Sequence, residues 1–212
     1  MVYLKNIYGI IQISIKEKED YIMQYQVIGS TVPAVECTLS ANESMYTQSG
    51  GMIWQSEGIG MATNAKGGLM KSLGRALAGE SLFMTTYTGQ KEGAVIAFGS
   101  TVPGSIVPMN LTNTPGIIAQ KKAFLCAENG IEVNVTLTKK LSAGLFGGEG
   151  FILEDIHGTG TVFLEVDGDR IVKDLAPGEV VKVDTGNVVA FEKTVAYEIE
   201  TVKGLGNIFL GG

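Results

Sequence analysis

The sequence predicts an all-β protein, a double-stranded β-helix or β-sandwich made of two tandem pseudo-equivalent β-units, and three observations predict it. From Met23 onward apolar residues recur with period two in short runs, the pattern of strands that bury one face. Gly, Asn and Asp punctuate those runs at spacings of about ten residues, which suits a meander, barrel or sandwich better than helices or βαβ units. A set of glycine, glutamate and proline landmarks also occurs twice at one offset, the mark of an internal duplication.

Taken in chain order, residues 1–22 form an extension. Ile7 to Ile15 (IYGIIQISI) has the apolar character of a signal-peptide centre, but Lys16-Glu17-Lys18-Glu19-Asp20 follows it in place of a small-residue cleavage site. It is also too short to span a bilayer as a helix. The segment reads either as an extra strand, with Ile11, Ile13 and Ile15 on one face, or as an upstream extension of a protein starting at Met23. The second reading is preferred, because the organised pattern begins at Met23 to Ile28.

Residues 23–112 make the first β-unit and 113–212 the second. Strands are predicted over Ala94 to Phe98, Ile131 to Leu137, Thr161 to Val166 and Glu179 to Val183, where apolar residues alternate or run together. Asp167-Gly168-Asp169 reads as a tight hairpin turn between Val166 and Ile171, since glycine accepts the positive φ that such turns require.

The duplication rests on Gly79-Glu80-Ser81-Leu82-Phe83, which returns 69 residues later as Gly148-Glu149-Gly150-Phe151-Ile152. The same offset carries Gly89 onto Gly158, Gly99 onto Gly168 and Pro108 onto Pro177. Upstream, Ser49-Gly50 is matched to Asn129-Gly130 at an offset of 80, so the first copy is expected to hold an 11-residue insertion. One stretch leaves the β-pattern: Leu69, Leu73 and Leu77, with Met70 beside them, fall at helical spacing opposite Lys71 and Arg75. A short amphipathic helix or turn near 68–78 follows. Its counterpart, Leu141 to Gly148, is equally apolar and too rich in glycine for a stable helix.

Composition narrows the function. The chain has 212 residues, 45% of them hydrophobic and 18% charged, so a core is readily built and some apolar surface is left for contacts between subunits. A net charge of −6 and the absence of basic runs disfavour nucleic acid as a partner, because phosphate contacts dominate that affinity. The two cysteines, Cys37 and Cys126, lack metal-knuckle spacing and read as buried small hydrophobes of a reducing, cytoplasmic environment.

No catalytic, cofactor-binding or metal-binding residue is assigned. His157, the one histidine, lies in Glu154-Asp155-Ile156-His157-Gly158, and a Ser81, His157, Asp155 triad fails because Gly-Glu-Ser-Leu-Phe is not a nucleophile elbow. One histidine and two distant cysteines do not make a zinc site. Gly144 to Gly150 lacks the Lys-Ser/Thr ending of a phosphate loop. Glu80 and Glu149, each preceded by a glycine (Gly79, Gly148), read as carboxylates tying loops to strand starts, Arg75 being a partner for Glu80. Trp54, the single tryptophan, is expected in a core or interface.

Leu69, Met70, Leu73, Leu77, Leu145 and Phe146 form the interaction loops on this reading, as buried or interface apolar stripes or as a face for another macromolecule. Docking on a membrane surface has little support, with Lys71 and Arg75 as the only flanking cations.

At these same blocks the chain resembles the altered-inheritance-of-mitochondria family of number twenty-four and its bacterial relatives of unknown function. The resemblance is carried by Gly67-Gly68 with Arg75 and Gly79 to Phe83, Pro103-Gly104, Gly147 to Phe151, Val183-Asp184 and Val189-Ala190-Phe191-Glu192, and covers Met23 to the C-terminus. It implies a fold like a duplicated tryptophan RNA-binding attenuation protein and a ring-like homo-oligomer, with a trimer favoured. It supplies no catalytic residues. The expectation is a non-enzymatic oligomeric β-scaffold binding a macromolecular partner through its ring surface or apolar loops. The alternative is a sensor holding a small metabolite between adjacent β-units.

Overall fold

The computed structural model describes residues 1–6, 23–48, 50–64, 84–139 and 151–200. Seventeen strands lie among them: β1 (Val2–Asn6), β2 (Gln24–Ile28), β3 (Ala34–Leu39), β4 (Ser44–Gln48), β5 (Met52–Gln55), β6 (Ile59–Asn64), β7 (Met84–Gly89), β8 (Ala94–Gly99), β9 (Gly104–Asn110), β10 (Ile117–Gln120), β11 (Phe124–Glu128), β12 (Ile131–Lys139), β13 (Phe151–Gly158), β14 (Thr161–Asp167), β15 (Val180–Val183), β16 (Ala190–Glu192) and β17 (Val195–Ile199). The only helical turns described are two short 3-10 segments, Lys121–Ala123 and Thr185–Asn187. The helix expected near 68–78 lies outside the described residues.

Every strand pair is antiparallel, and the strands form four sheets in the orders β2-β3-β8-β5, β6-β7-β4-β11-β14-β9, β12-β13-β10-β16 and β15-β1-β17. Period-two alternation explains how they stack. On β3, Val35, Cys37 and Leu39 are buried, and with Ala94, Ile96 and Phe98 of β8 they meet Met45, Cys126 and Phe163 of the six-stranded sheet. The opposite face of that sheet places Tyr46, Phe124, Val162 and Leu164 against Ile117, Ile131 and Ile156. A third core joins Ile118, Leu153 and Phe191 to Val2, Leu4 and Tyr197 of the three-stranded sheet. The six-stranded sheet is thus covered on both faces. That is why Thr161 to Val166 of β14 is buried throughout and reads as a continuous apolar run.

Three expectations change. The hairpin across Gly168 does not form: β14 pairs with β9 and β11, Gly168 donates its N–H to the Pro103 carbonyl, and residues 169–176 carry no strand. The return strand β15 begins at Val180 and pairs with β1. The N-terminal segment does supply a strand, but at Val2–Asn6, ahead of Ile11, Ile13 and Ile15, which lie outside the described residues. β1 sits between β15 and β17, with Val2 fully buried. Trp54 is not in a core, for a reason given below.

Cys37 and Cys126 are buried and free, as expected. Burial pushes both thiols well above their ordinary value, so neither is a thiolate nucleophile at neutral pH.

Candidate functional site

Strand β13 carries Glu154, Asp155 and His157, the polar residues singled out from sequence. Phe151 and Leu153 of this strand enter the third core, and Asp155 and His157 continue the same face beyond it toward solvent. His157 Nδ1 lies 2.9 Å from Asp155 Oδ1, and Lys193 Nζ lies 2.8 Å from Asp155 Oδ2. Glu132, directly across on β12, approaches His157 Nε2 at 3.7 Å. On the other side of β13, Gly116 lets the backbone pass close: at φ 93, an added Cβ would stand 2.5 Å from the Ile156 carbonyl oxygen and 2.7 Å from His157 Cβ.

Each ring nitrogen of His157 therefore faces a carboxylate, and Asp155 is shared between the imidazole and Lys193. This arrangement ties β12, β13 and the turn between β16 and β17 together. No hydroxyl or thiol joins it among the described residues, and Ser81 lies outside them. Nor is there, among the described residues, a group of three or more His, Cys, Asp or Glu side chains suited to a metal ion. The interaction-loop residues Leu69, Met70, Leu73, Leu77, Leu145 and Phe146, and the repeat residues Gly79, Glu80, Gly148 and Glu149, also lie outside the described residues.

Two surface features went unseen in the sequence. The first is on β5, the edge of the sheet β2-β3-β8-β5, whose register with β8 shifts between Met52 and Trp54. Met52 pairs with Phe98 and packs into the first core, while Trp54 pairs with Ala97 on the other face. Ile53, the extra residue, lies against Gly99, where an added Cβ would meet Ile53 Cγ2 at 2.8 Å. The bulge thus turns two adjacent large side chains outward, leaving Ile53 54% and Trp54 41% exposed.

The rest of that outward face is nearly uncharged. Cross-strand partners point to the same side, so Gln26, Glu36, Ala97 and Trp54 form one row, and Gln24, Thr38 and Val95 the next. Glu36 is the only charged side chain in the two rows, whereas the solvated face of an antiparallel sheet is ordinarily polar.

The second feature is the segment that replaces the expected hairpin. Ile171 is 95% and Val172 79% exposed, flanked by Arg170 and Lys173. The base of this arm is braced: Glu179 accepts a hydrogen bond from Ala176 N–H at 2.9 Å and pairs with Lys173 Nζ at 2.9 Å. Those contacts, the backbone hydrogen bond first, hold the Glu179 carboxyl below its ordinary value. The exposure has no sequence signal, because Ile171-Val172 has the composition of a strand.

Comparison with known proteins bears on most of the chain. The sequence profile of a family described as mitochondrial biogenesis AIM24 matches residues 25–212. An uncharacterized protein of Streptococcus pyogenes serotype M6 is 28% identical over 180 residues, covering 81% of this chain and 71% of that protein. A Streptococcus pyogenes protein solved by X-ray crystallography shares the fold with a TM-score of 0.55 at 24% identity, over 69% of this chain and 66% of that one. The alignment thus spans about two thirds of the solved protein's length.

Proposed function

This chain belongs to the mitochondrial biogenesis AIM24 family, and we propose that it is a non-enzymatic, homo-oligomeric β-scaffold that binds a macromolecular partner through its surface. The observation that carries the reading is the paired exposure of large apolar side chains on a sheet face whose central rows hold one charged residue, Glu36, and on a projecting arm. Contiguous apolar surface of this kind marks contact sites.

A duplicated architecture supports it. The pairs β3·β8, β5·β8, β4·β7 and β6·β7 recur as β9·β14, β11·β14, β10·β13 and β12·β13, each strand number raised by six. On this correspondence the units run from β3 through β8 and from β9 through β14, which places β9 in the second unit and not in the first, where the 112/113 boundary read from sequence puts it. The turn at Gly58 then matches the turn at Gly130, so the first copy is only three residues longer up to Gly89 and Gly158. On this numbering β4 corresponds to β10 and β5 to β11, so Ser49-Gly50 and Asn129-Gly130 follow different strands of the two copies. Three chains would arrange six such units about an axis, multiplying equivalent surfaces for a multivalent partner.

Light scattering of the purified protein tests the assembly. The expected mass is a multiple of 22.4 kDa, with a trimer first, and a mass of 22.4 kDa at all concentrations refutes it.

A further inference from the structure

Resting on the oligomeric reading above, we infer that the arm around Ile171 and Val172 of one copy docks on the Ile53–Trp54 face of a second copy, with Arg170 meeting Glu36. The argument begins with what each chain leaves in water. Ile53 and Trp54 stand in water beside the half-buried Val95 and Gly99 and the buried Ala97, and an arm projects two β-branched side chains. Their mutual burial removes apolar surface from water at a gain of roughly 25 cal/mol per Å².

Charge selects the occupant. The chain carries a net −6, so two copies repel except where the approaching surface is neutral or complementary. The face offers one carboxylate, Glu36, in the row of Ala97 and Trp54, and it has no ion pair among the described residues. The arm offers Arg170, one of the chain's two arginines, exposed and next to Ile171. Ile171 and Val172 on Trp54 and Ile53 bring the guanidinium toward Glu36, an arrangement that arginine serves well because its fork binds a carboxylate through two donors.

Among the described residues each chain has one such arm and one such face, so a second copy uses both. The contact is head-to-tail, and such contacts close into rings when the rotation between copies allows. Bracing by Glu179 lowers the ordering cost, because the arm's base is already held before contact.

The test is a charge exchange on the full chain. Glu36→Arg and Arg170→Glu each place like charges at the contact, and each is expected to reduce assembly at least tenfold by analytical ultracentrifugation. The double variant restores it. Arg170 is exposed and Glu36 half-buried, and circular dichroism, expected unchanged throughout, checks that each variant keeps the fold. Trp54 is the sole tryptophan, so its emission reads the same contact: it shifts to the red on dilution of the wild type and in Ile171→Asp.

Single exchanges that leave an oligomeric wild type's assembly intact overturn this contact and leave the scaffold reading standing. A double variant that fails to recover removes the Arg170–Glu36 pairing. A wild type that is monomeric overturns the contact and the oligomeric reading together.

Discussion

Tyr46 on β4 donates its hydroxyl to the backbone carbonyl oxygen of Ile131 at 2.9 Å, in a buried contact between residues 85 apart in sequence. Tyr46 faces the second core, where its ring also stacks on Phe124 at a centroid distance of 5.7 Å. The bond fixes the six-stranded sheet to the start of β12 in the sheet beneath it. Burial raises the phenol far above its ordinary value, so it remains a donor at any working pH.

Tyr46→Phe keeps the ring and removes the donor, leaving the Ile131 carbonyl without this hydrogen bond in a buried site. A loss of about 1–2 kcal/mol is expected by urea unfolding. A change below a few tenths of that would show that the bond contributes nothing net.

Removal of residues 1–6 takes away the middle strand of the three-stranded sheet. β15 and β17 both pair with β1, and with it gone they have no sheet partner among the described residues. Faster hydrogen exchange is expected at Val180–Val183 and Val195–Ile199, with the first core unaffected. The milder Val2→Ala deletes about two buried methylene equivalents and should cost about 2 kcal/mol. Unaltered exchange in the truncated chain would mean that β1 is dispensable.

Glu128 accepts a hydrogen bond from Thr161 N–H at a partly buried site, and desolvation raises its carboxyl above the ordinary 4.5 despite that bond. A raised folded value means that its protonated form is favoured in the fold. The advantage is full at low pH and is lost as pH rises through the folded value. Glu128→Gln keeps an acceptor oxygen without the charge, so it should be at least as stable as wild type at pH 7, the gap closing toward pH 4. Glu128→Ala abandons the Thr161 N–H and should cost about 1–3 kcal/mol. A Gln variant markedly weaker than wild type at pH 7 would contradict this account.

Glu179 titrates the other way. Its folded value is depressed, so its bracing of the arm is present above the ordinary 4.5 and lost as pH falls through the lower folded value. The Ala176 amide resonance should titrate with an apparent pKa below 4.5, and Glu179→Gln should abolish that titration. A midpoint at or above 4.5 would show that the brace is absent in solution.

Much of this was legible in the chain itself. Alternation located β8, β12, β14 and β15, glycines marked many of the turns, and Cys37 and Cys126 were placed inside from their residue type and spacing. The blocks that carried the family resemblance were read from sequence as well. At the His157 cluster, sequence supplied Asp155 and His157, but Glu132 and Lys193 come from other strands and turns, and no local pattern joins them.

Period-two patterning follows from residue-by-residue chemistry, so the sequence alone located strands such as β8 and β12 and their alternating faces. Only the tertiary structure decided which strands pair, that β14 is covered on both faces, and that Val2–Asn6 enters between β15 and β17. It also decided that one extra residue at Ile53 sends Trp54 outward, and that Ile171 stands in water instead of in a hairpin. The reason is that alternation is a local signal with period two. Pairing, layering and a single-residue register shift depend on partners far along the chain, and a shift of one residue exchanges the two faces of a strand.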